Sequence, residues 1–393
     1  MLTRSVVFLN SHPIQYFAPL YQQMAKDPEL GLEVLYGSDE TLKGATDKQF
    51  GVQVQWDIPM LQGYTYRFLK NRSFNPSIFK GFWGLVNPGV INYLFRKRKS
   101  LLVIHGWGYF THVLTIITGR LLGHTVCLRA ETPLNQELKK PKGVTRLKHL
   151  YLRFLFLFVD RFLYIGQQNK LFYEHLQVNP NKLFFTPYSV DNERFSSVAA
   201  SVSREKARQM TGLPVGKKIF LFSGKYIAKK RPLDLLQAFL QLDAPDMFLV
   251  MVGDGELRPE MERFITDNHL QERVLLTGFV NQSQIPYYYA AADFFVMSSG
   301  LGETWGLSVN EAMNFGLPVI ISDTCGAAYD LVKENENGYV YETGNIAALA
   351  GKLSLLSQLN DANYAAMANR SREIIQQYSY DVIIQQLKTM DGR

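Results

Sequence analysis

Short apolar runs alternate with helical stretches of about ten residues along most of the chain, and that alternation leaves few folds open. In the C-terminal half the spacing predicts strands at 218–223, 248–252, 274–277, 294–297, 318–322 and 338–340. Helical patterns at 232–242, 256–268, 285–291 and 307–315 separate the first five of them. The N-terminal half repeats the pattern less cleanly, with strands predicted at 5–10, 32–36, 101–105, 125–129, 161–165 and 184–186. Residues 37–84, rich in Gly, Asn and aromatics, read as loops with one or two short elements. Strands joined by helices make parallel sheets with crossover connections. The expected class is α/β, with two doubly wound domains and ligands beyond the carboxyl ends of the strands. The small and polar stretch 196–214 reads as the linker between them.

Composition narrows the class further. A chain of 393 residues exceeds one ordinary core, and 47% apolar with 20% charged residues excludes a disordered or collagen-like chain. No apolar run reaches the ~18 residues of a membrane span; residues 150–159 come nearest and include Arg153. The apolar run 6–9 is too short for a signal peptide. Two cysteines, Cys127 and Cys325, build neither a disulfide framework nor a zinc cluster, so a reduced cytoplasmic protein is expected. Residues 1–195 hold 24 Lys and Arg against 13 Asp and Glu, whereas residues 196–393 hold 18 against 22. The basic half is expected to meet something anionic: a phosphorylated substrate, a membrane surface or nucleic acid.

Three segments carry chemistry. Ser223-Gly224-Lys225 opens a basic loop through Lys229-Lys230-Arg231 between a predicted strand and helix. A glycine there lets backbone amides approach a phosphate, and the next helix adds its positive end. Val252-Gly253-Asp254-Gly255 and Gly278-Phe279-Val280 stand at the next two strand ends, where a plain turn is an equally good reading. The segment from Gly302 to Met313 places Glu303 before a helix and Glu311 within it. Eight helical steps would separate them by roughly 12 Å, the reach from sugar to ribose in a nucleotide diphosphate sugar. Amides near Gly306 and Leu307 would face the pyrophosphate between.

Taken in order, these motifs resemble those of the retaining glycosyltransferases of GT-B architecture in family four, also called group 1 glycosyl transferases. That pattern runs Gly-Arg-Leu, a Lys five positions on, Val-Gly-Asp-Gly, Gly-Phe/Tyr-Val, then two Glu separated by seven residues before Ala-Met/Leu. This chain has Gly224-Lys225-Tyr226 with Lys230, Val252 to Gly255, Gly278 to Val280, and Glu303 with Glu311-Ala312-Met313. Gly316-Leu317-Pro318-Val319 and Glu336-Asn337-Gly338 extend the likeness across residues 218–345. Gln377-Tyr378-Ser379-Tyr380 resembles the start of a helix that crosses back to the first domain.

The resemblance implies two Rossmann-like domains facing a cleft: an acceptor-side domain at 1–195, a donor domain at 196–372, and a crossing helix at 373–393. It implies a UDP- or GDP-linked sugar as donor and co-substrate, with no separate cofactor. Lys225 and Lys230 would sit on the diphosphate beside Gly224 and Gly253, with Lys225 replacing the commoner Arg and its bidentate geometry. Glu303 would hold the donor sugar, Glu311 the ribose, and Gly278 with Val280 would face the base. Thr304, Trp305, Gly306 and Leu307 would line the phosphate.

The N-terminal half matches less well. Asn10-Ser11-His12-Pro13 lacks the glycine pair common in the family, and Arg129-Ala130-Glu131 stands where many members carry His. His105 and Glu131 are nonetheless the candidate catalytic residues on that side of the cleft, and His12 is a candidate donor-binding residue. No Asp-x-Asp occupies a strand-end loop, so metal-independent chemistry is expected. The implied reaction moves a sugar to a glycan or lipid-diphosphate-linked acceptor, in cell-surface polysaccharide synthesis. A binding protein without turnover or a GT-B epimerase are the rivals, and the presence of Lys225, Lys230, Glu303 and Glu311 weighs against the first. The basic and aromatic segment 139–159 suggests peripheral contact with an anionic membrane at its inner face. No recognition module accompanies the charge, so nucleic acid is not an expected partner.

Overall fold

The computed structural model describes residues 4–43, 46–47, 52–53, 57–242 and 244–390. The chain divides into two compact units, one of residues 1–45, 58–187 and 380–393, the other of 46–57 and 188–379.

Unit 1 is built on a seven-stranded parallel sheet. Its order is Tyr66–Phe68, Leu30–Tyr36, Arg4–Asn10, Leu101–His105, Thr125–Arg129, Arg161–Tyr164 and Leu183–Phe185. Val6, Val103, Ile104 and Val126 on the central strands are fully buried, as near-continuous apolar strands covered on both faces must be. The order reverses between Arg4–Asn10 and Leu101–His105, where Leu9 pairs with Ile104. Asn10, His12 and His105 therefore lie at a topological switch point, where doubly wound sheets open a crevice. The last helix, Tyr380–Thr389, belongs to this unit: Lys388 pairs with Glu29 at 2.8 Å and the Tyr380 hydroxyl donates to the Tyr16 carbonyl at 2.9 Å.

Unit 2 holds a six-stranded parallel sheet in the order Val274–Leu276, Met247–Val252, Lys218–Ser223, Phe294–Met297, Val319–Ser322 and Gly338–Tyr341. Its switch point lies between Lys218–Ser223 and Phe294–Met297, where Leu221 pairs with Phe295. Phe220, Leu249, Val296 and Ile320 form the core of this sheet with Leu236 and Leu353 from the helices over it. The expected class, two doubly wound Rossmann-like domains, is the observed one.

The expected linker at 196–214 is instead mostly helical, Asn192–Ser201 followed by Arg204–Thr211. Its small polar residues are capping signals: Asp191 accepts from the Arg194 amide and Ser203 from the Lys206 amide. Phe195 packs on Tyr289 and Phe315, and Arg194 donates to Gln282 at 2.7 Å. Those contacts place the first unit boundary at 187/188 rather than 195/196, and the second falls at 379/380 rather than 372/373.

Candidate functional site

In unit 2 three loops at neighbouring strand ends are tied to one another through backbone. The Gly224 amide donates to the Val252 carbonyl and the Tyr226 amide to the Asp254 carbonyl, both at 2.9 Å. The Gly253 amide donates to the Gly278 carbonyl at 3.0 Å. Gly253 has a φ of 146°, and a Cβ on it would lie 1.9 Å from the Gly224 carbonyl oxygen. Only glycine lets these loops meet so closely. Its place is thus fixed by loop packing, whatever else it touches. At Gly224 a Cβ would meet Lys230 Cε at 3.6 Å, so the Lys230 stem lies across that glycine. Lys225 is half-buried beside it.

Lys230 faces the other side of the switch point. Its Nζ is 2.6 Å from Glu303 Oε2, and Lys229 Nζ is 3.5 Å from the same oxygen. Backbone contacts hold the two loops in register: Gly300 N donates to Lys229 O at 2.7 Å, and Ser298 Oγ to Lys230 O at 2.9 Å. The Glu303 side chain is 12% exposed. Burial pushes its carboxyl up, but the adjacent Lys230 and Lys229 charges outweigh burial and hold it below the ordinary carboxylate range. Glu303 is an anion held between cations, half of a charge pair at the mouth of a doubly wound sheet.

Thr304 to Gly306 form the turn from Glu303 into helix Leu307–Asn314. Gly306 has a φ of 103°, and a Cβ there would reach within 2.5 Å of Met297 Sδ. It supplies no side-chain cap, so the first-turn amides of the helix have no side-chain acceptor at the N-cap. Trp305 is buried, donates to Asn310 Oδ1 at 2.8 Å and stacks on Tyr188; it supports the turn from below. The helix begins only at Leu307, so four helical steps, about 6 Å of rise, precede Glu311. The ~12 Å obtained by treating the whole interval as helix therefore does not follow from helical rise alone. Glu311 is buried and accepts from the Tyr289 hydroxyl at 2.6 Å. Gly278 and Val280 are half-buried at the third loop.

Two participants are not legible in the sequence. Lys229 reads there as one more member of a basic run, and Tyr289 as a packing residue. Tyr289 does pack on Phe315, but its hydroxyl also fixes Glu311 across 22 residues of sequence. No local pattern signals a contact of that range.

In unit 1 the corresponding edge is of another character. His105 lies against Phe17, 4.5 Å between ring centroids, and its Nε2 has no hydrogen-bond partner among the described residues. Burial, then the Arg129 charge, then His112 hold its imidazole well below the ordinary range. His12 is lowered to about 4, chiefly by burial, with Glu40 opposing, and shares a 2.9 Å contact with Ser11 Oγ. Arg129 is buried, lies over the Phe17 ring and stands 3.8 Å from the half-buried Glu131. The Asn10 side chain donates to the Tyr21 hydroxyl at 2.8 Å. Among the described residues no group of three or more His, Cys, Asp or Glu could hold a metal ion.

Residues 203–374 match the family model described as "Glycosyl transferases group 1". Over those residues this chain is a group 1 glycosyltransferase domain. The enzyme is 29% identical over 269 residues to the UDP-Gal:alpha-D-GlcNAc-diphosphoundecaprenol alpha-1,3-galactosyltransferase of Escherichia coli, covering 66% of this chain and 67% of that one. It is 27% identical to the N-acetyl-alpha-D-glucosaminyl L-malate synthase of Bacillus anthracis, over 55% of each chain. The match thus spans about two thirds of the first relative and about half of the second. Among solved structures, Anabaena HepE in complex with UDP superposes with a TM-score of 0.74 at 17% identity, covering 98% of both chains. The glycosyltransferase shares its GT-B fold with that protein.

Proposed function

We propose that this glycosyltransferase takes a sugar from a UDP-sugar and transfers it, with retention at the anomeric carbon, to a lipid-diphosphate-linked glycan during cell-surface polysaccharide synthesis. The observation that carries the donor half is the Lys230–Glu303 pair at the switch point of unit 2. In this reading the donor diphosphate takes Lys230, assisted by Lys225 and by the first-turn amides of Leu307–Asn314, and the donor sugar hydroxyls take Glu303. Glu311 meets the ribose. The activity of the Escherichia coli relative and the UDP bound to the Anabaena protein support the choice of base and acceptor.

The step breaks the bond from the anomeric carbon to the diphosphate oxygen and forms one to the acceptor hydroxyl oxygen. Cations aimed at the departing phosphate stabilise the charge that develops there. Glu303, committed to Lys230 and the sugar hydroxyls, is not the nucleophile. Substitution on one face follows, and the acceptor proton passes to the departing diphosphate oxygen. In unit 1, Arg129 with Glu131, His105 and His12 contact the acceptor, with both imidazoles neutral. The expected site of action is the inner face of the cytoplasmic membrane, on an anionic surface.

The test is transfer from UDP-hexoses to a lipid-diphosphate N-acetylhexosamine acceptor, with the product linkage read by NMR. An α product from an α donor is expected. An inverted product, or turnover only with GDP- or ADP-sugars, would refute the corresponding part of the reading.

A further inference from the structure

Three helices of unit 1 pack side by side, Gly89–Arg96 on Phe110–Leu121 and the latter on Lys142–Phe156. The third is apolar on two sides. Leu152, Leu155 and Phe156 turn into the core. On the opposite side Val144, Leu147, Leu150, Phe154 and Leu157 recur at spacings of three and four, each between 58% and 73% exposed. Lys142, Arg146 and Arg153 run along one flank of that stripe, all exposed. Monomers rarely leave so much contiguous apolar surface in water.

A second element packs on the start of the middle helix. The loop between Leu69 and Asn87 is locked by side chains: Asn71 accepts from the Ser73 and Val86 amides, and Asn87 donates to the Gly37 and Leu69 carbonyls. Glu40 accepts from Ser77 Oγ and the Ile78 amide. So fixed, the loop displays Phe74, Phe79 and Trp83, the last two 74% and 64% exposed. Trp83 stacks on Phe110 at 5.1 Å, the first residue of the middle helix, and the Tyr109 hydroxyl donates to the Ile78 carbonyl at 2.7 Å. The loop is thereby joined both to the helical face and to the segment after His105.

Charge decides what covers this surface. From residue 58 to residue 130 the sequence has ten Lys and Arg and no Asp or Glu; from 138 to 159 it has six and none, of which Lys140 and Lys148 pair with Glu137 and Lys142, Arg146 and Arg153 are exposed. Apolar stripes and aromatic tips bounded by exposed cations match the interface of an anionic bilayer, where rings sit among headgroups and lysines meet lipid phosphates. Among the described residues no helix is long and apolar enough to cross a membrane, so the contact lies in the interface plane. We infer that unit 1 seats on an anionic bilayer through two elements at once, the apolar stripe of helix Lys142–Phe156 and the aromatic tip of the 70–87 loop. The inference deepens the lipid-linked-acceptor reading and rests on it for its purpose: the loop that touches lipid is bonded to the edge where the acceptor would react.

Flotation of the full chain tests it, with phosphatidylcholine vesicles carrying or lacking about 30% phosphatidylglycerol, at ~0.1 and ~0.5 M salt. Binding is expected only with the anionic lipid and only at low salt. Arg146→Gln with Arg153→Gln should weaken it about 25-fold, about fivefold for each charge, and Leu147→Ser with Phe154→Ser at least as much. Brominated lipid should quench tryptophan emission, and Trp83→Phe should abolish most of that quenching. Turnover on a short-chain, water-soluble acceptor should be unchanged in every variant. If that turnover is absent while flotation succeeds, the catalytic reading fails and this one stands. Absent binding at low salt, indifference to anionic lipid or to the substitutions, or binding without Trp83 quenching would each overturn the two-element seat. So would a dimer that Leu147→Ser with Phe154→Ser dissociates, since a second copy would then cover the stripe.

Discussion

At the switch point of unit 2 the polar groups are charged and paired, whereas at the switch point of unit 1 the histidines are neutral. Lys230 and Glu303 close on each other at 2.6 Å, and the loops bearing them are bonded backbone to backbone. His105 and His12 are both held uncharged by burial, and His105 Nε2 is a buried atom with no partner among the described residues. In the proposed reading the contrast suits what each edge receives: a diphosphate brings fixed charge and needs a cation kept in place before it arrives, whereas an acceptor hydroxyl meets neutral imidazoles beside the Arg129–Glu131 pair.

The sharpest way to break this contrast is to remove charge from unit 2. Glu303→Gln should cut turnover by about 10²–10³, the cost of losing one charged contact to the reacting group. A loss under tenfold in steady-state rate would place the sugar elsewhere. The stitched loops give the next largest effect. Gly253→Ala should destabilise unit 2 by roughly 2–4 kcal/mol, because its Cβ would overlap the Gly224 carbonyl. Gly224→Ala, with nothing nearer than 3.5 Å to its Cβ, should cost under about 1 kcal/mol. Urea denaturation of the two variants compares them directly.

In unit 1 the corresponding test is pH. The folded imidazoles of His12 and His112 are lowered from 6.5 to about 4, chiefly by burial, while in the unfolded chain they titrate near 6.5. Between those values the unfolded chain binds more protons, so stability is complete above 6.5 and is lost as pH falls towards 4. A loss of about 3 kcal/mol for each imidazole over that window is expected. Imidazole proton shifts that stay flat down to about pH 5 would check it; titration at the ordinary value would show these rings to be solvated. The smallest effect is predicted for Glu311→Gln, which keeps an acceptor for Tyr289 and should weaken UDP by about 1 kcal/mol with little change in turnover.

The two units also differ in what their sequence discloses. In unit 2 strand and helix periods are clean and glycines punctuate the strand ends, so Lys218–Ser223, Phe294–Met297 and the helix carrying Glu311 read off directly. The site residues there follow one another in a short span. The 70–87 loop of unit 1 has no period to read, because Asn71, Asn87 and Glu40 hold it through bonds that span up to 50 residues. Composition alone makes 196–214 look like a linker, although Asp191 and Ser203 act as helix caps before and within it. Likewise Lys229 and Tyr289 gain their roles only when strand order brings distant loops together.

Whether Lys230 and Glu303 divide the donor between phosphate and sugar is tested most directly by calorimetry of UDP binding to Lys230→Ala and Glu303→Gln. Lys230→Ala is predicted to weaken UDP by about 1.5–3 kcal/mol. Glu303→Gln is predicted to bind UDP as tightly as the parent or more so, since Lys230 is then released to the phosphate. Unchanged affinity in Lys230→Ala, or equal losses in the two variants, would contradict that division.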